Sequence, residues 1–234
     1  MTNDERRPLR RSAAAAAVLA LFAGSAAAAP RSDVTVVELF TSQDCSSCPP
    51  ANANAAALAD RPDLLVLSFG VTYWDSLGWK DSFAREDFTE RQRIYEPALG
   101  RDGPFTPQIV VGGASDTVGN DRATILALIA KGRAAGPAIA LSGETVTIGP
   151  GKADAAADVW LVRYDARTID VAVRRGENGG RTLPHRNVVR DLARIGHWAG
   201  AETELPLPAA APGLRTAVLV QAPKGGAILA AVTD

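Results

Sequence analysis

The chain has 234 residues, 47% of them hydrophobic and 22% charged, with 25 lysines and arginines against 26 aspartates and glutamates. That balance belongs to a globular protein long enough for two modest domains. It excludes a basic nucleic-acid surface and a polybasic membrane anchor.

Arg6, Arg7, Arg10 and Arg11 precede an apolar run, Ala13 to Ala23, and a small-residue stretch, Ala26 to Ala29. This order reads as a signal peptide over residues 1–29, cut near Ala28 or Ala29 with Pro30 just beyond. The Arg10-Arg11 pair suits a twin-arginine signal and an ordinary charged leader alike. The apolar run is shorter than the roughly 20 residues of a spanning helix. The expectation is a periplasmic or secreted protein with no membrane attachment in its mature form, in a compartment where disulfides persist. Without the leader, 21 basic residues face 24 acidic ones, a net charge of −3.

Residues 34–40 are β-branched and apolar, as in a strand covered on both faces. Cys45-Ser46-Ser47-Cys48 follows, holding the only two cysteines of the chain. Pro49 to Ala59 reads as an alanine-rich helix opened by prolines, and residues 64–69 as a second buried strand, which makes a βαβ unit. Residues 70–100 form an excursion, aromatic around Tyr73, Trp74 and Trp79, then helical from Arg85 to Ala98. Residues 105–118 read as a hairpin around Gly112-Gly113. A helix follows with Asn120 as its expected cap and Gly136-Pro137 as its end. Beyond it come short strand-like runs over 139–141, 145–148, 159–164, 169–173, 214–220 and 228–232. Residues 186–198 read as a longer strand or an irregular arm, and 203–212 as a loop. The expected organisation is a domain over 33–136 and a β-rich, sandwich-like domain over 137–234.

Strand, C-x-x-C, helix, strand, then Thr106-Pro107 heading a hairpin with a closing helix: this order resembles the thioredoxin fold. The resemblance implies that Pro107 is a cis-proline facing the dithiol and that residues 70–100 are an insertion. Leu39-Phe40-Thr41-Ser42, Cys45-Ser46-Ser47-Cys48-Pro49-Pro50, Tyr73-Trp74-Asp75, Thr106-Pro107-Gln108, Gly176-Glu177-Asn178 and Asn187-Val188-Val189-Arg190 resemble a narrower group. These are bacterial exported, thioredoxin-like proteins catalogued as a domain of unknown function. The fold class implied is α/β, with a thioredoxin-like N-terminal domain.

Three chemistries compete for the cysteine pair. A helix N-terminus favours thiolate, so Cys45 suits a nucleophile and Cys48 a resolving thiol. A structural bridge is the second reading, yet closing a four-residue loop is worth only roughly 2 kcal/mol against about 4.7 for a hundred-residue loop. Two thiolates holding Cu(I) or part of a zinc site are the third. His185 and His197 stand twelve apart in no common zinc spacing, and Met1 leaves with the leader, so no metal ligands are assigned. Thr106, Pro107, Tyr73 and Trp74 are the expected substrate groove. Asp44, Glu38 and Asp75 are the candidate tuning carboxylates, with Asp44 opposing thiolate formation beside Cys45. The expectation is a thiol–disulfide oxidoreductase whose reagent is the Cys45–Cys48 disulfide, with no bound cofactor. Its partners are protein or peptide thiols and disulfides and an unidentified redox partner, not nucleic acid. A non-catalytic envelope protein that binds a partner on the same scaffold, with the second domain docking it, is the rival.

Overall fold

The structure is a computed structural model and describes residues 1–2, 31–133 and 135–234. The expected signal peptide falls outside the described residues, apart from its first two. In chain order the elements are β1 (Arg31–Ser32), β2 (Thr35–Thr41), α1 (Pro49–Leu58), β3 (Leu64–Gly70), a 3-10 turn (Asp75–Leu77) and α2 (Glu86–Leu99). Then come β4 (Gln108–Val111), β5 (Ser115–Val118), α3 (Arg122–Ala130), β6 (Ile139–Ser142), β7 (Thr145–Ile148), β8 (Ala157–Asp165) and β9 (Ile169–Ala172). The last are β10 (Thr182–His185), β11 (Val188–Trp198), β12 (Thr203–Pro206), β13 (Arg215–Gln221) and β14 (Ile228–Thr233).

The molecule is a mixed α/β structure dominated by one nine-stranded sheet in the order β1-β14-β13-β8-β11-β3-β2-β4-β5. β2 and β3 run parallel, joined through α1, and β4 returns antiparallel beside β2. The expected boundary at 136–137 does not divide this sheet. β11 pairs in parallel with β3, Val188 opposite Ser68, so strands from both halves of the chain share one ladder. Asn187 makes that junction. It sits at φ 51°, a left-handed conformation that asparagine tolerates better than most residues. Its carbonyl accepts from Ser68 N at 2.9 Å and its side-chain amide donates to Val66 O at 2.8 Å.

Alternation along the strands sends side chains to two faces. One face carries Val36, Phe40, Leu67, Phe69, Val162, Tyr164 and Leu219, packed with Phe88 and Tyr95 of α2. Phe69 stacks on Phe40 at 5.3 Å between centroids and meets Phe88 edge-on at 5.4 Å. The sheet curls around α2 until β14 touches the β4–β5 turn, where Gly112 O accepts from Ile228 N at 2.8 Å. The opposite face is covered in two parts. Over β2, β3 and β4, α1 and α3 bury Ala51, Ala55, Leu58 and Ile125 on Val37, Leu39, Val66 and Ile109. Over β8, β13 and β14, a second, three-stranded sheet, β12-β7-β6, lays Val146 and Ile148 on Val159, Leu161, Val218 and Val220 with Trp198.

Several local expectations shift. The 186–198 run is a strand, β11, and the 203–212 stretch holds a short strand, β12, before its loop. β10 was not foreseen. It pairs only with β9, as a two-stranded hairpin outside the main sheet. Asp121, not Asn120, caps α3, its carboxylate accepting from Thr124 N at 3.1 Å.

Candidate functional site

β2 leads into the cysteine turn. Cys45 N donates to Ser42 O and Cys48 N to Cys45 O, at 3.3 and 3.1 Å, and Asn52 N donates to Cys48 O as the helix begins. Cys48 is the N-cap of α1 and Pro49 its first residue, where a missing N–H costs nothing. Cys45 and Cys48 are joined in a disulfide, their Cα atoms 5.4 Å apart. Ser47 Oγ lies 3.3 Å from Cys45 Sγ.

Pro107 enters this neighbourhood from the head of β4, after a cis Thr106–Pro107 bond. Its carbonyl accepts from Gly119 N at 2.9 Å. A Cβ on Gly119 would stand 2.7 Å from Ala51 Cβ and 3.4 Å from Pro107 Cβ, so only glycine allows this approach. Asn120 Nδ2 then donates to Ser47 O at 3.1 Å, and Asn54 Nδ2 to Gly119 O at 2.9 Å. Pro107, Gly119 and the first turn of α1 are thus one packed group.

The Tyr73 hydroxyl lies against Thr106, one of the expected groove residues, while Trp74 faces the α2-side cluster, against which both rings pack. Tyr73 donates to Gln92 Oε1 at 3.1 Å, and burial pushes its hydroxyl pKa up to about 12. Gln92 Nε2 reaches Phe105 O and Gln108 Oε1, each at 2.8 Å, so Tyr73 braces the loop around Thr106 from beneath. The excursion residue that meets the cysteine turn is Trp79, whose Nε1 donates to Gln43 Oε1 at 2.9 Å.

Glu38 does not attend the thiols. Its place on β2 points it to the α2 face, away from α1. There Arg91 Nε donates to it at 2.6 Å and Tyr95 Oη donates to its other oxygen. Both ends of the Glu38–Arg91 pair are 0% exposed. Asp75 is also committed, accepting from Asp81 N at 3.0 Å. Asp81, one of the carboxylates the sequence reading did not select, sits closer to the turn. It accepts from Gln43 N at 2.8 Å and Phe83 N at 2.7 Å, and burial pushes its carboxyl up to about 6. With Thr41, Ser68, Phe83 and His185 it lines a cavity of about 10 Å³. Burial pulls the His185 imidazole down to about 4.

Asp44 is beside Cys45 as expected, but buried and spoken for by two other segments. Trp79 N donates to Oδ2 at 3.2 Å and Glu177 N to Oδ1 at 2.7 Å. Gly176 has φ 76°, and a Cβ there would fall 1.8 Å from Asp44 Oδ1. Glu177 returns a bond, its carboxylate accepting from Ser46 N at 2.9 Å, which holds its pKa below the usual range. Asn178, fully buried, donates to Gln43 O at 3.0 Å and Cys45 O at 2.9 Å. The turn between β9 and β10 therefore lies on the cysteine loop. Both cysteines are 0% exposed. The Gly176-Glu177-Asn178 run stood out in the sequence as part of the family resemblance; no pattern tied it to a loop 133 residues away.

Among the described residues no cluster of three or more His, Cys, Asp or Glu is placed to hold a metal ion. His197 Nδ1 lies 3.3 Å from Asp158, remote in sequence from the cysteines.

The profile of a family described as "Protein of unknown function (DUF1223)" matches residues 36–221. The chain belongs to the DUF1223 family. The match spans the cysteine turn and the β9–β10 turn alike. An Agrobacterium tumefaciens protein solved by crystallography as a structural-genomics target is similar, at 35% identity and a TM-score of 0.69. The alignment covers 85% of this chain and 92% of that one. HBP35 of Porphyromonas gingivalis shares the fold, at 13% identity and a TM-score of 0.54, covering 86% and 74%. No curated protein matches. Among the described residues no helix is long and apolar enough to cross a membrane.

Proposed function

We propose that this DUF1223 member is an exported thiol–disulfide exchange protein on a thioredoxin-like arrangement, its reagent the Cys45–Cys48 disulfide. The observation that carries this reading is the position of the disulfide, at the turn that delivers β2 into the N-terminus of α1. A bridge across four residues adds little stability, whereas a helix N-terminus lowers the pKa of a thiol held there. In the exchange, the Cys45 thiolate attacks a partner disulfide. A Cys45–partner bond forms as the partner's S–S bond breaks, and one partner sulfur leaves as thiolate. Cys48 thiolate then attacks Cys45, restoring the intramolecular disulfide and releasing the second partner thiolate. Two electrons pass from the cysteine pair to the partner, and the reverse sequence oxidises one. Protein or peptide disulfides are the substrate class, in the periplasm or outside the cell.

The test is reduction of insulin disulfides by the reduced protein, with the potential of the pair measured against glutathione. Turnover with a potential above about −300 mV supports the reading, and inert cysteines with a lower potential overturn it. A second reading, partner binding on the same scaffold without turnover, draws on the full burial of both cysteines. An unchanged cellular phenotype after both cysteines are replaced by serine favours it.

A further inference from the structure

The groups that hold the cysteine turn come from the tip of the β9–β10 hairpin, whose strand β10 lies along α1 with His185 edge-on to Phe83. β9 and β10 pair with each other and with no strand of the main sheet. Their connecting turn covers three main-chain groups of the cysteine loop. Glu177 takes the Ser46 N–H, and the Asn178 amide takes the carbonyls of Gln43 and Cys45. Asp44 and Gly176 latch the turn in place. The side chain of Glu177 is exposed and Asn178 is wholly buried, so a water-facing bond and a dry one act together.

We infer that the β9–β10 turn is a displaceable cap that shuts the Cys45–Cys48 disulfide off from small thiols and opens to a polypeptide partner. This rests on the redox reading of the same cysteines and adds how access to them is controlled. What the cap satisfies is backbone: one N–H donor and two C=O acceptors. A polypeptide strand carries both complementary groups in fixed order and replaces every bond the cap gives up. A small thiol with no peptide groups, such as dithiothreitol, replaces none of them, so it waits for the cap to open spontaneously.

The experiment follows reduction of the full oxidised chain by dithiothreitol, with aliquots alkylated and resolved by mass. A dithiothreitol thiolate attacks one cysteine sulfur, the Cys45–Cys48 bond breaks to a thiolate on the other, and the second thiol of the reagent closes its own ring. Two electrons and two protons move to the cysteines. Asn178→Ala is expected to be reduced at least tenfold faster than the unsubstituted chain, and Glu177→Ala at least threefold faster. Reoxidation by oxidised dithiothreitol accelerates by the same factors, so the equilibrium position shifts by less than threefold. If Asn178→Ala fails to fold by circular dichroism, Glu177→Ala, altered only at an exposed side chain, decides alone. Folded variants reduced at the unsubstituted rate overturn the cap. So does an unsubstituted chain reduced as fast as the same chain in urea. Failure of the redox reading looks different: an uncapped, rapidly reduced variant that leaves insulin disulfides intact retains the cap and removes the exchange function.

Discussion

Asn178 gives both hydrogens of its side-chain amide to the cysteine loop, to Gln43 O at 3.0 Å and Cys45 O at 2.9 Å. One buried side chain thereby holds two carbonyls that flank Asp44 and fastens a turn of the C-terminal half to the cysteine loop. Alanine here strands two buried acceptors, each worth about 1–3 kcal/mol when unpaired. The kinetics above are therefore to be read beside an unfolding curve.

Gly176→Ala probes the same contact sterically. The new Cβ would fall 1.8 Å from Asp44 Oδ1, at a φ of 76° that L side chains avoid. The turn must shift and the bond from Glu177 N to Asp44 is lost. We expect a loss of roughly 2 kcal/mol or more in urea unfolding, with amide exchange of Ser46 and Glu177 accelerated while that of β2 is unchanged. Slow exchange at both positions would show that the turn tolerates the methyl group.

Arg91 stands at the centre of the curled sheet, bonded to Glu38 and stacked over Phe69, Tyr95 and Trp160. Arg91→Met leaves the Glu38 carboxylate buried without a cation, at a cost of about 3–5 kcal/mol. Adding Glu38→Leu should recover most of that, because the pair's mutual attraction largely offsets its own desolvation. Denaturant titration of the two variants checks this. The reduction rate of the disulfide should not change in either, since Glu38 and Arg91 lie on the α2 face of the sheet.

Asp81 and His185 line one small cavity and titrate in opposite senses. The native Asp81 carboxyl, at about 6, holds its proton more tightly than in the unfolded chain, so it contributes stability at low pH that is lost as pH rises from about 4 to 6. The native His185, at about 4, resists its proton, so its contribution grows as pH rises from about 4 to 6.5. Each shift corresponds to about 3 kcal/mol on the scale of 1.36 kcal/mol per pH unit, and the two nearly cancel. Relative to the unsubstituted chain, Asp81→Asn should gain stability across this window and His185→Asn should lose it. Urea midpoints at pH 4 and 6.5 decide. Parallel curves for all three proteins would mean that neither group is buried in its neutral form.

Asn187 joins the two halves of the sheet at a left-handed φ. Asn187→Ala loses the bond to Val66 O and keeps the strained backbone, for about 2 kcal/mol in total. Asn187→Gly loses only the bond, for about 1 kcal/mol. Chemical denaturation should rank them in that order. The reverse order would show that the side-chain bond carries nothing and that the backbone has relaxed.

The elements of the cysteine turn were readable because their signals are local. β-branched residues up to Phe40, prolines at the helix start and two cysteines three apart each constrain only their neighbours. The same holds for the hairpin after Pro107 and the family motif from Leu39 to Pro50. Misreadings arose where a side chain's role depends on which face it takes. Glu38 looked like a site residue by its nearness in sequence to the cysteines, but strand alternation carries it to the α2 face. Asn120 looked like a helix cap, yet the cap fell one residue later and Asn120 went to Ser47.

By itself the sequence determined where a disulfide can form and which secondary structures carry it, because those depend on residue type over a few positions. Only the tertiary structure decided that the two halves share one sheet and that Glu177 and Asn178 close over Cys45. The reason is physical. The bonds that do this run to main-chain N–H and C=O groups of the cysteine loop, which every residue except proline presents alike, so no choice of side chain there marks them. They exist because pairing of β11 with β3 brings residues separated by more than 130 positions together.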